Sequence, residues 1–394
     1  PSGYGGRLLQ AIANICFPHG FPGSNPGPGV YHFGIFHGTL SNRTVAVVFK
    51  NDLLRRKMKI DPYKHKEKYL AWKERVREDI PNITKENSDL ILKYLRDMEI
   101  GANVASESVK GARSFNRLNT LRDKLCFFAR QFEDKFGIKL ITEIAEEQLI
   151  SFFAQMREGI IKKLDGGVYS SVDTYARIFK AFWHWHQKIN KKKGIIITDI
   201  TTDLDTRQEK PSWVYLTEEQ VKLLAENAKY EYKMLILFLF DSGIRAPTEL
   251  MNVRVSDLYN DYKELNIRDE ASKTFGRRIK LLICSDMIKS YIQTKGLKSN
   301  DQLFNISPSV CNRQLKRLAL KLFGDKESPA GEKYSKLSMY DFRHCSCCYW
   351  LPRYKSESAL KYRFGWKKSD KIHYYSELLG MKDTISEEDL LIDT

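Results

Sequence analysis

Tyr340-Asp341-Phe342-Arg343-His344, then Gly365-Trp366, then Tyr374-Tyr375: this ordered set, spread from Leu337 to Leu379, is the stretch on which the whole chain turns. It puts an arginine in a helical segment, a ring N–H donor some twenty residues on, and a tyrosine nine residues after that donor. Arginine grips two phosphate oxygens at once. Tyrosine attacks a phosphodiester when other groups carry the charge it creates. An upstream counterpart lies at Ser242-Gly243-Ile244-Arg245, with a lysine at Lys273.

Attack on a DNA phosphodiester without metal makes four demands. A nucleophile must reach phosphorus in line, and cations must hold the non-bridging oxygens as charge builds. An acid must protonate the leaving 5′-hydroxyl, and a further donor must complete the cage. Arg245 and Arg343 suit the clamp, Lys273 the acid, the Trp366 indole N–H the extra donor, and Tyr375 the nucleophile. Taken singly, each has a plainer explanation: a surface ion pair for Arg245, a solvated turn for Lys273, packing for Tyr340, Trp366 and the tyrosine pair. Their order and spacing together favour the chemistry.

The bulk properties agree. With 394 residues the chain is long enough for two or three domains. A balance of 65 Lys+Arg against 49 Asp+Glu leaves +16, which favours a polyanionic partner through counterion release. The seven cysteines include no paired Cys-x-x-Cys sets. His344 beside Cys345 and Cys347 lacks the second ligand pair a metal needs, so no metal is expected, and the thiols read as reduced and packed on a helix. No apolar run reaches membrane-spanning length and no signal peptide is evident, so a cytoplasmic location is expected.

Along the chain, residues 1–50 carry no Asp or Glu and hold nine of the 23 glycines and five of the 12 prolines, the composition of a flexible arm. Residues 51–80 form a basic helical segment, facing either solvent or DNA. Residues 81–195 read as a helical bundle. One stripe is Ile91, Leu92, Leu95 and Met98; another is Phe115, Leu118, Leu121, Leu125, Phe128, Phe132 and Phe136. Thr142 is placed as the cap of a helix carrying Leu149, Ile150 and Phe153, and Ser170 or Ser171 as the cap of one carrying Tyr175, Ile178, Phe179, Phe182 and Trp183. The aromatic stripes are expected in the core, and His184 and His186 in structural roles. A linker at 196–212 ends at Pro211. A second domain follows over 213–380, with Thr217 as a helix cap and Pro247 in the first turn of a helix after Arg245. Strands are predicted at Tyr262–Arg268 and Arg278–Ile283 with Lys273 between them, then helices near 287–294, 308–322, 340–351 and 356–363. The segment 381–394 is an acidic tail.

The motifs resemble those of the tyrosine recombinase (phage integrase) family. Ser242-Gly243-Ile244-Arg245 followed by Glu249-Leu250 is similar to the family's first arginine motif, and Ser272-Lys273-Thr274 to its β-hairpin lysine. Tyr340-Asp341-Phe342-Arg343-His344 is similar to its His-x-x-Arg box, and Phe364-Gly365-Trp366 to its Leu-Gly-His box. Tyr375 stands at the spacing the family uses for its nucleophile. Tyr340 replaces the usual histidine, a pattern that resembles an archaeal integrase subgroup of mobile elements; a tyrosine there can donate to phosphate but is a poor base near neutral pH. Glu249 stands four residues after Arg245, where three is usual.

The resemblance implies a mainly α fold with a small antiparallel sheet: a helical core-binding domain and a catalytic domain that clamp a duplex. It implies site-specific recombination through a covalent 3′-phosphotyrosyl intermediate, without metal, cofactor or ATP, to integrate or excise a mobile element. It also implies a tetramer on double-stranded DNA. Arg113, Arg117, Lys124, Lys180, Arg254, Arg277 and Arg278 are the candidate phosphate contacts. Two expectations concern the ends. Gly23-Ser24-Asn25-Pro26-Gly27 can be encoded by a tRNA-gene T-arm, so the arm is expected to be translated from the attachment site. The acidic tail is expected to pack on a basic neighbouring copy. The competing functions are type IB topoisomerase relaxation and a non-catalytic DNA-binding regulator.

Overall fold

The apolar stripes fold as helices because their three- and four-residue spacing gives each helix one face to bury. A computed structural model describes residues 60–379, apart from 78, 106, 107, 209 and 210. The expectations for the N-terminal arm, its tRNA-like coding origin and the acidic tail lie outside the described residues.

The first half contains α1 (His65–Arg75), α2 (Lys85–Ile100), α3 (Phe115–Phe136), α4 (Glu146–Arg157) and α5 (Val172–Lys191). Thr84 and Ser114 cap α2 and α3 through their side chains. The α3 stripe is buried from Leu118 to Phe132, with Phe115 and Phe136 packed at its ends. Phe128 meets Phe179 of α5 edge-on, with centroids 5.2 Å apart. The aromatic stripes are thus core. His184 reaches Asp199 at 3.0 Å and ties α5 to the chain beyond it.

Two expectations shift here. The basic segment before residue 80 is not separate: Tyr69 of α1 is buried in the same core and lies 5.8 Å from Phe115. Thr142 does not cap α4. It sits in a 3-10 turn, Ile141–Glu143, and α4 begins at Glu146, where two acidic residues meet the positive helix end and the Gln148 side chain accepts from the Ala145 N–H.

A second apolar core runs from Trp213 to Tyr375. It is built from α6 (Glu218–Glu226), α7 (Tyr230–Ser242), α8 (Ser285–Lys295), α9 (Pro308–Phe323), α10 (Asp341–Trp350), α11 (Glu357–Phe364) and α12 (Asp370–Leu378). Thr217 caps α6 in a capping box with Gln220. The sheet has three antiparallel strands in chain order: β1 (Leu258–Tyr259), β2 (Glu264–Ile267) and β3 (Arg277–Lys280), with Leu265 opposite Ile279. Both predicted strands are shorter than expected because Tyr262 takes a positive φ in the turn before β2 and the pairing stops at Lys280. The chain fold is therefore mainly α with a small antiparallel sheet. At the start of the described chain, Ile60 pairs with the side chain of Asn252 through both its N–H (2.7 Å) and its carbonyl (3.0 Å).

No α-helix begins at Pro247. The chain turns instead and enters a short 3-10 turn, Leu250–Asn252. The reason is Glu249, whose carboxylate is drawn inward to two arginines.

Candidate active site

Two helix ends build the site. α7 stops at Gly243 and α11 at Gly365, each with φ near +60°, which glycine adopts without strain. Neither position has room for a side chain. A Cβ on Gly243 would meet the Phe364 ring at 2.4 Å, and one on Gly365 would meet Arg277 Nη1 at 3.1 Å. The unsatisfied carbonyls at these ends carry the negative pole of the helix dipole, so they attract cations.

Both motif arginines bind there. Arg343 of α10 donates from Nη1 to the Gly243 carbonyl and from Nη2 to the Phe364 carbonyl, each at 2.6 Å. Arg245 donates from Nη2 to the next carbonyl, Gly365, at 2.9 Å, and from Nη1 to Glu249 at 2.7 Å. The two guanidiniums thus meet at adjacent peptide groups. Arg343 is only 5% exposed and, among the described residues, has no carboxylate partner. Burial and the neighbouring charge of Arg245 bring its pKa down to about 10. A buried cation whose direct partners among the described residues are carbonyl oxygens, with Glu249 acting on it only from a distance, is a receptor for an anion. Each arginine has spent two of its five N–H donors, so donors remain for one.

Glu249 keeps the pair in place. It accepts from the Arg245 backbone N–H at 2.9 Å and from Arg277 Nη1 and Nη2 at 3.1 and 2.8 Å. Burial works to raise its pKa, but the bonds and charge of Arg277, with those of Arg245, hold it at about 2. This corrects one expectation: Arg277 has no exposed side-chain surface and is spent on Glu249, so it cannot contact phosphate.

Lys273 lies on the β2–β3 loop and is exposed. Its neighbour Thr274 donates to the Gly365 carbonyl at 2.9 Å, which anchors the lysine loop to the acceptor that Arg245 uses. Phe275 stacks on Tyr362 of α11, with centroids 6.1 Å apart.

Trp366 is stacked between Phe364 (4.9 Å) and Tyr375 (5.9 Å), nearly parallel to both. Tyr375 is buried, and its hydroxyl meets His344 Nδ1. Burial pushes this phenol well above its ordinary pKa. Tyr374 faces elsewhere: its hydroxyl accepts from Trp213 Nε1 at 2.8 Å and lies 3.4 Å from the Pro211 carbonyl. Tyr340 is 44% exposed at the start of α10, its ring edge-on to His344 at 5.2 Å. Cys345, Cys347 and Cys348 are buried thiols on α10.

Sequence reasoning missed Trp213, His344 as a partner of Tyr375, and the Glu249–Arg277 pair. Trp213 stacks on His344 at 4.7 Å. Only Glu249 left a signal, its four-residue offset from Arg245. Of the other basic candidates, Lys124 lies 3.5 Å over the Tyr175 ring, Arg113 donates to the Val109 carbonyl at 2.7 Å, and Arg117, Lys180 and Arg254 are half-buried. Arg278 is exposed and 5.1 Å over Tyr259.

No protein-family model and no curated protein matches this chain. Solved structures do. A lambda integrase dimer bound to a COC′ core site gives a TM-score of 0.55 at 14% identity, covering 89% of this chain and 91% of that one. The chain has the tyrosine recombinase fold. A lambda integrase tetramer bound to a Holliday junction gives a TM-score of 0.51 at 15% identity, over 86% and 90% of the two chains. The Tn1549 transposon integrase (aa 82–397), in complex with circular intermediate DNA, gives 0.51 at 15% identity, over 73% of this chain and 94% of that one. In this recombinase fold the carbonyl-held arginines, the Trp366–Tyr375 stack and the lysine loop adjoin one another. Among the described residues, no helix is long and apolar enough to cross a membrane.

Proposed function

We propose that this protein is a site-specific DNA recombinase that cuts and rejoins strands through a covalent bond between Tyr375 and a 3′-phosphate. The observation that carries the proposal is Arg343: buried, ion-paired to no carboxylate among the described residues, and next to Arg245 at adjacent carbonyls. A backbone phosphate complements that buried positive charge. The remaining N–H donors of both arginines hold its non-bridging oxygens. The Tyr375 oxygen bonds to phosphorus as the P–O5′ bond breaks, and Lys273 gives the departing 5′-oxygen a proton. Trp366 supplies one more N–H, and Tyr340 donates to phosphate from the rim. The ester keeps the bond energy, so rejoining needs neither ATP nor metal.

Tyr375 is buried beside His344 and Trp366 in the free protein, and grip on a duplex sets the phosphorus against its oxygen. Arg113, Arg117, Lys124, Lys180, Arg254 and Arg278 are the proposed phosphate contacts. Joining two duplexes calls for a tetramer on DNA, and the substrate is an attachment site of a mobile element, of the kind a tRNA-gene T-arm able to encode residues 23–27 would supply. Incubation with a nicked attachment-site duplex in chelator tests this. A protein–DNA adduct that Tyr375→Phe abolishes is expected. DNA binding with no adduct would leave only a regulator, and relaxation of supercoils without joining of two duplexes would indicate a topoisomerase.

A further inference from the structure

From the contact between His344 Nδ1 and the Tyr375 hydroxyl, we infer that His344 is the base that takes the tyrosine proton during strand cleavage. The inference rests on the reading of Tyr375 as nucleophile, and it supplies what that reading lacks. A phenol held this deep in the protein does not ionise unaided, and Tyr340, where a histidine is usual, cannot accept a proton near pH 7.

The geometry is specific. Among the described residues, His344 Nδ1 is the one hydrogen-bond partner of the Tyr375 hydroxyl. In the proposed arrangement the phenol is the donor and Nδ1 the acceptor, with the imidazole proton on Nε2. The ring cannot swing away. Trp213 stacks on one side at 4.7 Å, the Tyr340 ring stands edge-on at 5.2 Å, and Tyr375 lies at 5.8 Å. Burial, then the charges of Arg343 and Lys371, bring the His344 pKa down to about 4, so the ring is neutral and able to accept at physiological pH.

The same charges make the base depend on substrate. Arg343 repels an imidazolium in the free protein. A phosphate bound to Arg343 cancels that repulsion and raises the basicity of His344 where and when the proton must move. The step balances. The Tyr375 O–H proton passes to Nδ1 as the O–P bond forms, the P–O5′ bond breaks, and the 5′-oxygen takes its proton from Lys273. Rejoining runs in reverse, with the proton returning from His344 to the tyrosine oxygen.

The test is the adduct-forming rate on a nicked attachment-site duplex. His344→Asn keeps an acceptor near the Nδ1 position but cannot hold a proton. It is expected to bind DNA as the wild type does and to cleave about 100-fold slower or worse. Replacing Tyr375 in that variant with a more acidic fluorinated tyrosine should restore much of the rate. The groups facing the imidazole are Arg343 on α10, Lys371 and Tyr375 on α12, Tyr340 and Trp213. The wild-type rate should fall on acidification as His344 protonates, and His344→Asn should lack that limb. Cleavage by His344→Asn at the wild-type rate would overturn the assignment. So would a slow variant that the fluorinated tyrosine does not rescue, since that is a packing defect. If the variant does not fold, the fluorinated tyrosine in the otherwise wild-type chain decides: its acid limb should flatten, and an unchanged limb refutes the assignment. An adduct that survives Tyr375→Phe would instead sink the reading beneath it.

Discussion

Glu249 receives both Nη atoms of Arg277, and neither side chain has any surface in contact with solvent. The pair lies directly behind Arg245, whose own Nη1 shares the Glu249 carboxylate. A charge pair of this kind is worth little as a whole, but losing one partner strands the other. Glu249→Ala should destabilise the protein by about 3–5 kcal/mol in chemical denaturation. Replacing Glu249 and Arg277 together by apolar residues should recover part of that loss while still disabling Arg245.

The same pair sets part of the acid sensitivity. Glu249 has its folded pKa lowered from 4.5 to about 2. Its contribution is complete above pH 4.5 and is lost as pH falls through about 2. His344 is lowered from 6.5 to about 4. Between those values the unfolded chain binds a proton that the folded chain refuses, so stability declines as pH drops from 6.5. Denaturation curves taken at several pH values should show both losses, and His344→Asn should reduce the upper one, leaving the share of His186, which burial also holds below its ordinary value.

Much of this was legible in the sequence, and the remainder has a physical reason. The helices announce themselves because burial of one face imposes a period, as at Leu118 to Phe132. The Thr217 cap is local, and so are Arg343 and Tyr375, which sit in fixed spacing. What stayed hidden joins residues far apart in the chain. Glu249 lies in the turn after α7 and Arg277 opens β3, and Trp213 comes from the segment before α6 to cover His344 on α10. Thr142 misled because a good cap residue says nothing about the acidic first turn that starts four residues later, at Glu146. Arg277 misled because composition cannot tell a buried cation from a surface one.

Gly243 should tolerate nothing larger. Alanine there needs φ near +60° and drives a carbon into the Phe364 ring. We expect Gly243→Ala to cost about 1–3 kcal/mol by overpacking and to move the carbonyl that Arg343 uses. A lowered melting temperature together with slowed adduct formation would fit; an unaffected melting temperature would not.

The clamp arginines should resist the conservative exchange. A single lysine nitrogen cannot reproduce the planar fork that holds two protein acceptors with separate nitrogens and still offers paired donors to a phosphate. Arg343→Lys and Arg245→Lys should slow adduct formation by about 100-fold or more while leaving duplex affinity nearly unchanged. Gel-shift and cleavage assays on the same duplex separate the two effects.

Trp213 makes two separable contacts. Trp213→Phe keeps a ring over His344 but leaves the Tyr374 hydroxyl without its 2.8 Å donor. The expected loss is about 1 kcal/mol in stability, with cleavage retained. Trp213→Ala removes the ring as well, and its cleavage rate should fall further than its stability does.

The central claim is that Tyr375, and not its neighbour, takes up the DNA strand at the anion pocket of Arg245 and Arg343. Mass spectrometry of the adduct trapped on a nicked attachment-site duplex measures this most directly. The account predicts a 3′-phosphonucleotide on the Tyr375 oxygen, formed in chelator and lost in Arg343→Lys. A nucleotide on Tyr374, or no adduct from folded protein bound to its site, would contradict it.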